Sequence, residues 1–220
     1  MKSERDNLPY RIDDMQLDDI DEVMAIEQRS FSSPWSARAY RYELTSNSFS
    51  QFIVVREQSI PKTHTADQER GGPIRRWLGV SRQPVKSPVL GYAGLWLLAD
   101  EAHISTIAVI PEWRGQGLGE FLLVALLERS AVIQAEVVTL EVRASNLVAQ
   151  NLYRKYQFQT VGLRRAYYQD NLEDALVMTT PPLRSPDFQE TFQRNKATLF
   201  QALKENARHP RRDRAVLQMG

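Results

Sequence analysis

The chain of 220 residues contains no cysteine. That excludes disulfides, thiolate metal sites and a cysteine nucleophile, and it fits a reducing cytoplasm. The three histidines, His64, His103 and His209, are far apart and share no metal-ligand spacing, so neither a metal centre nor a hydrolytic histidine triad is expected. No apolar run approaches the ~20 residues needed to cross a bilayer. The longest runs from Val89 to Ala99, so no membrane association is expected. Met1 to Asp14 is charged and lacks an apolar stretch, so no secretory signal is expected. Net charge is also nearly absent: 28 Lys and Arg face 27 Asp and Glu. Bulk charge therefore gives no argument for nucleic acid. Length and hydrophobic content allow one well-packed domain with extensions.

The pattern alternates between helical and strand periods. Leu17 to Ser30 carries Ile20, Val23, Met24 and Ile26 among acids and reads as a helix, with Asp18 and Asp19 suiting its dipole. Ser36 is placed to cap a second helix, Ala37 to Thr45. Strand-like runs follow at Gln51 to Arg56, Val89 to Leu98, His103 to Ile110 and Glu136 to Val142. Asn146 to Tyr156 reads as a helix, and Gln159 to Arg164 and Asp174 to Met178 as closing strands. These place one domain over residues 10–182. Within it, residues 57–88 hold four prolines (Pro61, Pro73, Pro84, Pro88) and no sustained period. They read as a flexible insertion; a partner-binding arm with Arg75, Arg76, Arg82 and Lys86 as its basic part is the alternative. Residues 183–220 read as an amphipathic helix, with Ser185 and Pro186 as cap and first turn, followed by a basic tail.

The most informative stretch begins at Ile107-Ala108-Val109 and runs through Arg114-Gly115-Gln116-Gly117-Leu118-Gly119 to Glu120. A strand stops at Pro111, a basic glycine-rich turn follows, and Glu120 to Ala131 is helical, with Phe121, Leu122, Ala125, Leu126 and Arg129 spaced for one face. Such a turn can aim backbone N–H groups at a phosphate. It lacks the Lys of a P-loop and the G-x-G-x-x-G spacing of a dinucleotide fold. Its Arg/Gln-x-x-Gly-x-Gly form resembles the acetyl-CoA pyrophosphate loop of the GNAT N-acetyltransferases.

Further motifs narrow the likeness. "LEVRASN" (Leu140 to Asn146), then Ala149 and Leu152-Tyr153, then Gly162, Arg164-Arg165 and Tyr167-Tyr168, then "EDALVM" (Glu173 to Met178) resemble the bacterial RimI-type enzymes, as does "IEQRSF-x-x-PWS" (Ile26 to Ser36). The resemblance covers Leu17 to Met178 apart from the insertion. It implies a GNAT fold, an α/β architecture with a mixed, mostly antiparallel twisted sheet flanked by helices and splayed at the acetyl-CoA site. It also implies cytoplasmic acetylation of a protein N-terminal peptide, that of a ribosomal protein beginning with alanine, with acetyl-CoA as co-substrate and no metal.

The site residues follow. Acetyl transfer to an amine requires deprotonation of the amine, stabilisation of the carbonyl oxygen and protonation of the leaving thiolate. A carboxylate suffices for an α-amine, whose pKa is about 8 against about 10.4 for lysine. Glu141, a charge in an apolar strand, is the candidate general base; the alternative is that it faces solvent. Tyr153 matches the family's general acid, with a packed core tyrosine as the alternative. Asn146 matches a cofactor-binding asparagine and also suits a helix N-cap. By the resemblance, Ile107, Ala108 and Val109 offer backbone groups to the acetyl and pantetheine arm, with a bulge as the usual cause of the splay. Gly115 to Glu120 cradle the pyrophosphate. Glu120 stands where a basic residue is common, so its carboxylate is expected to point outward and Arg114 to supply the charge. Trp35, Tyr167 and Tyr168 match the peptide groove, or simply pack. Arg164 and Arg165 attract an acidic peptide or form a solvated pair. The rival functions are a lysine or small-amine acetyltransferase and a non-catalytic acetyl-CoA-binding module.

Overall fold

The computed structural model describes residues 7–58 and 86–208. The expected insertion, apart from its two ends, and the basic tail lie outside the described residues.

The alternation in Ser50–Glu57 shows how the fold is organised. Phe52 and Val54 enter one cluster, with Ile20, Val23, Ile26 and Tyr40. Ile53 and Val55 enter another, with Leu95, Phe121 and Leu122. A strand with both faces apolar needs a layer on each side. On one face lie α1 (Ile20–Ser30) and α2 (Ala37–Thr45), the latter capped by Ser36 Oγ accepting the Ala39 N–H at 3.1 Å. The other face carries α3 (Leu118–Val132), backed by a long C-terminal helix (Pro186–Arg208).

The sheet has seven strands: β1 (Tyr10–Asp14), β2 (Ser50–Glu57), β3 (Val89–Leu98), β4 (Glu101–Val109), β5 (Val137–Arg143), β6 (Gln159–Tyr168) and β7 (Glu173–Thr179), in the order β1-β2-β3-β4-β5-β7-β6. Every neighbouring pair is antiparallel except β4 and β5, which α3 joins as a crossover. A short helix, α4 (Leu147–Lys155), links β5 to β6, and the C-terminal helix is α5.

Strand β1 lies in the segment whose charge had suggested no element. Its polar side chains are accounted for by ion pairs: Arg11 Nε to Asp13 at 2.9 Å, and Arg56 Nε to Asp13 at 3.7 Å. Helix α3 also differs from expectation. Phe121 to Leu127 are all 2 % exposed or less, so burial runs around the helix rather than along one face. Packing against α5 is the reason, with the rings of Phe121 and Phe200 perpendicular at 6.0 Å. Arg129 is not on a buried face; it pairs with Asp14. Ser185 caps α5 as its position implied, accepting the Phe188 N–H at 3.4 Å.

The feature that positions the site is where β4 and β5 part. Their pairing runs from Glu101↔Val137 to Ile104↔Leu140 and stops. At the same point β4 bulges against β3: Leu95 faces Ile104 and Gly94 faces Thr106, leaving Ser105 without an opposite residue. A bulge bends its strand. The bend turns β4 away from β5 and opens a gap.

Candidate active site

Glu141 is the first β5 residue beyond the last parallel pair. Leu140 and Val142 point into the core around α3, so Glu141 points to the α1/α2 side. Its side chain is only 7 % exposed. His103 Nε2 lies 2.8 Å from Oε2, and Arg164 Nη2 lies 3.0 Å from Oε1. The Arg164 contact is an ion pair without hydrogen-bond angles, because Oε1 accepts no hydrogen bond. Contact with His103 holds the carboxyl below its ordinary range, and the charges of His103 and Arg164 add to this against the opposing effect of burial. Glu141 thus sits in the gap rather than in solvent. Arg164 is committed to it, while Arg165 remains exposed.

His103 had no role in the sequence reading. It ends a stack of three rings: His103 lies on Trp96 at 6.1 Å and 15°, and Trp96 lies on Trp35 at 5.8 Å and 15°. The stack is held at its far end by Glu27, which is 2 % exposed and accepts the Trp35 N–H at 2.8 Å and the Tyr40 hydroxyl at 3.1 Å. Burial raises the Glu27 pKa. Trp35 therefore both packs and lines the cleft.

Tyr153 comes from α4, with its ring 5.6 Å from Phe158. It lines the same cleft, and burial pushes its phenol above its ordinary value, so it is protonated at neutral pH. Asn146 Oδ1 caps α4 by accepting the Ala149 N–H at 3.1 Å, which leaves its amide group for other work. Gln150, 2 % exposed, ties this turn to the strand by donating to the carbonyls of Arg143 and Ala144 at 3.0 and 2.9 Å.

The mouth of the cleft is built by the β6–β7 hairpin. Tyr167 and Tyr168 meet edge to face at 5.2 Å. Arg143 lies 3.8 Å over Tyr168 and binds Asp170 at 2.9 Å and Glu173 at 3.1 Å. Burial lifts the Tyr168 phenol to about 12. Together Glu141, His103, Tyr153, Trp35, Tyr167 and Tyr168 line a cleft of about 550 Å³, to which Ile107 and Asn146 also contribute.

Ala108, Val109 and the glycine turn continue from the end of β4, outside the lining of that cleft. Gly115 and Gly117 adopt positive φ, 74° and 87°, and Gly117 is the N-cap of α3 with no side chain capping the helix. The first N–H groups of α3, from Leu118, Gly119 and Glu120, have no partner within the helix and face an open turn. That arrangement fits a pyrophosphate. Two side chains stand differently from expectation. The Glu120 carboxylate does not reach out into solvent; it accepts from Lys155 Nζ at 2.6 Å and the Tyr156 hydroxyl at 2.7 Å, turned toward α4. The Arg114 guanidinium donates to the Val109 carbonyl and to Ser30 Oγ, both at 3.0 Å, so it pins the turn to β4 and α1 rather than reaching over it. What the turn offers to an anion is therefore backbone amides and the helix dipole rather than the Arg114 side chain.

Among the described residues no group of acids and histidines could hold a metal ion, and no helix is long and apolar enough to cross a membrane.

A sheet that splays beside a phosphate-ready helix N-terminus, with a carboxylate–imidazole pair and a protonated phenol around the gap, defines an acyl-transfer enzyme. A model of the acetyltransferase (GNAT) family matches residues 20–158, and the chain belongs to this family of N-acetyltransferases. It is 38 % identical over 164 residues to a Bacillus subtilis protein provisionally named a ribosomal protein bS18-alanine N-acetyltransferase, covering 74 % of this chain and 90 % of that one. It is 31 % identical over 175 residues to the N-alpha-acetyltransferase RimI of Mycobacterium tuberculosis, covering 79 % and 93 %. The crystal structure of the ribosomal-protein-S18-alanine N-acetyltransferase from Escherichia coli superposes with a TM-score of 0.59 at 27 % identity, covering 79 % of this chain and 94 % of that one.

Proposed function

We propose that the protein is an acetyl-CoA-dependent N-α-acetyltransferase that acts in the cytoplasm on the N-terminal alanine of ribosomal protein bS18. The names of its relatives support the acceptor. The observation that carries the chemistry is Glu141, buried in the gap with His103 at 2.8 Å.

When bound, acetyl-CoA supplies an activated thioester whose pyrophosphate would rest on the N–H groups of Leu118 to Glu120. The remaining steps belong to side chains. An incoming α-ammonium enters past Tyr167 and Tyr168, beside the ring stack and the carboxylate. Glu141 takes its proton, directly or through a water, with His103 holding the carboxylate in place. Its contact with His103 keeps the Glu141 carboxyl ionised at neutral pH and so able to accept. An α-amine, with a pKa of ~8, gives up its proton to a carboxylate more easily than a lysine at ~10.4. Tyr153, kept protonated by burial, gives its proton to the departing thiolate. Asn146 and Gln150 fix the turn that carries Tyr153 toward the gap.

The test uses three peptides with the full chain and acetyl-CoA: a free N-terminal alanine, the same peptide with a blocked α-amine, and a blocked peptide containing lysine. Acetylation of the first alone is expected. Transfer to lysine on the blocked peptide contradicts the reading.

A further inference from the structure

Across the described residues, three buried side-chain polar atoms lack a hydrogen-bond partner: Ser105 Oγ, Thr106 Oγ1 and Glu141 Oε1. All three residues line the one gap between β4 and β5. An unsatisfied buried hydroxyl costs free energy, and folded proteins keep few of them. Their concentration in one place marks a ligand-facing surface.

The bulge explains why two neighbouring hydroxyls arrive there together. In a regular strand, adjacent side chains alternate between faces. Ser105 is the extra residue, with no opposite number on β3. Thr106 pairs with Gly94, so it shares the face of Tyr92 and Trp96 and hence of His103. Gly94 offers no side chain to partner it. The two hydroxyls therefore flank the position between the glycine turn, where the pyrophosphate would rest, and the base at Glu141. A thioester carbon bridging these two must pass them.

Resting on the acetyltransferase reading, we propose that Ser105 and Thr106 are catalytic residues that donate hydrogen bonds to the thioester carbonyl oxygen. As the amine nitrogen bonds to the carbonyl carbon, the C=O pair moves onto oxygen and both hydroxyls hold that charge. The pair then returns, the C–S bond breaks and the thiolate takes the Tyr153 proton; of the two protons the α-ammonium loses, the first stays on Glu141 and the second replaces the one given up by Tyr153. Hydroxyls left unsatisfied by the fold are donors already aimed, with no protein hydrogen bond to break first. Glu141 Oε1 differs from the two hydroxyls: it is an acceptor only, and the Arg164 guanidinium lies 3.0 Å from it.

The experiment compares wild type with Ser105→Ala, Thr106→Val and the double variant in the full chain. Each single variant is expected to lower kcat at least tenfold, with an acetyl-CoA dissociation constant within twofold of wild type. The free variants should melt no lower than wild type, since each loses an unsatisfied group. Isotope-edited infrared spectra of bound acetyl-CoA should show the thioester carbonyl stretch at higher frequency in the variants, as the donors are lost. An unchanged carbonyl band together with wild-type kcat in the double variant overturns the proposal and leaves the acetyltransferase reading intact. A wild type that binds acetyl-CoA and releases no CoA with any free N-terminal peptide overturns that reading itself.

Discussion

Glu141 Oε2 and His103 Nε2 lie 2.8 Å apart across neighbouring parallel strands, at the point where those strands stop pairing. The geometry joins a carboxylate and an imidazole in one buried contact, and it follows from register. His103 pairs with Thr139, so Glu141, two residues on, falls on the same face just beyond the last rung.

This pair fixes a pH dependence. Glu141 has its carboxyl pKa lowered from 4.5, chiefly by His103, against burial that pushes it up. Its favourable contribution to stability is present above 4.5 and is lost as pH falls through the lower folded value. His103→Gln removes the main lowering influence and leaves burial to act. The acid limb of kcat/KM should then move to higher pH, and the wild-type protein should hold its Tm to lower pH than the variant does. An acid limb that does not move assigns it to another group.

Tyr153→Phe keeps the ring against Phe158 and removes only the hydroxyl. We expect kcat to fall by about 10²–10⁴, the usual span for losing a general acid. Acetyl-CoA affinity should hold and Tm should change little. The loss should shrink with a thioester whose thiol is more acidic, because that leaving group needs the proton less.

Two glycines in the turn separate conformational strain from packing. Gly115 and Gly117 both have positive φ. A Cβ on Gly115 meets open space, whereas one on Gly117 would lie 3.2 Å from Leu203 and 3.3 Å from Leu199 of α5. Gly115→Ala should cost about 1 kcal/mol from backbone conformation alone. Gly117→Ala should cost more in thermal unfolding and should also raise the acetyl-CoA KM, since the N-terminus of α3 must shift. Equal costs at the two positions contradict the close packing of α5 on the turn.

How much of this was legible in the sequence depends on whether the controlling contacts are local. The bounds of α2 and β3 are those read from pattern, because a serine cap and a proline mark their starts. The glycine turn was legible for the same reason. Strand β1 was not, since its charged residues read as solvated until Arg56 of β2 is placed beside Asp13. His103 was missed because its meaning depends on strand register, which no spacing along the chain records. Glu120 and Arg114 were placed by analogy with a phosphate loop; their partners, Lys155, Tyr156 and Ser30, come from elements distant in sequence. Ser105 and Thr106 were invisible as a pair until the bulge broke the alternation of β4.

The most direct measurement is the mass of the N-terminal peptide of bS18, isolated from cells with and without this gene and after incubation of the unmodified protein with the purified chain and acetyl-CoA. The account predicts one acetyl group on the α-amine of alanine when the gene is present, its loss on deletion, and its restoration in vitro by wild type but not by Glu141→Gln. An α-amine acetylated equally in the deletion strain and left unmodified by the purified wild-type protein contradicts the assignment.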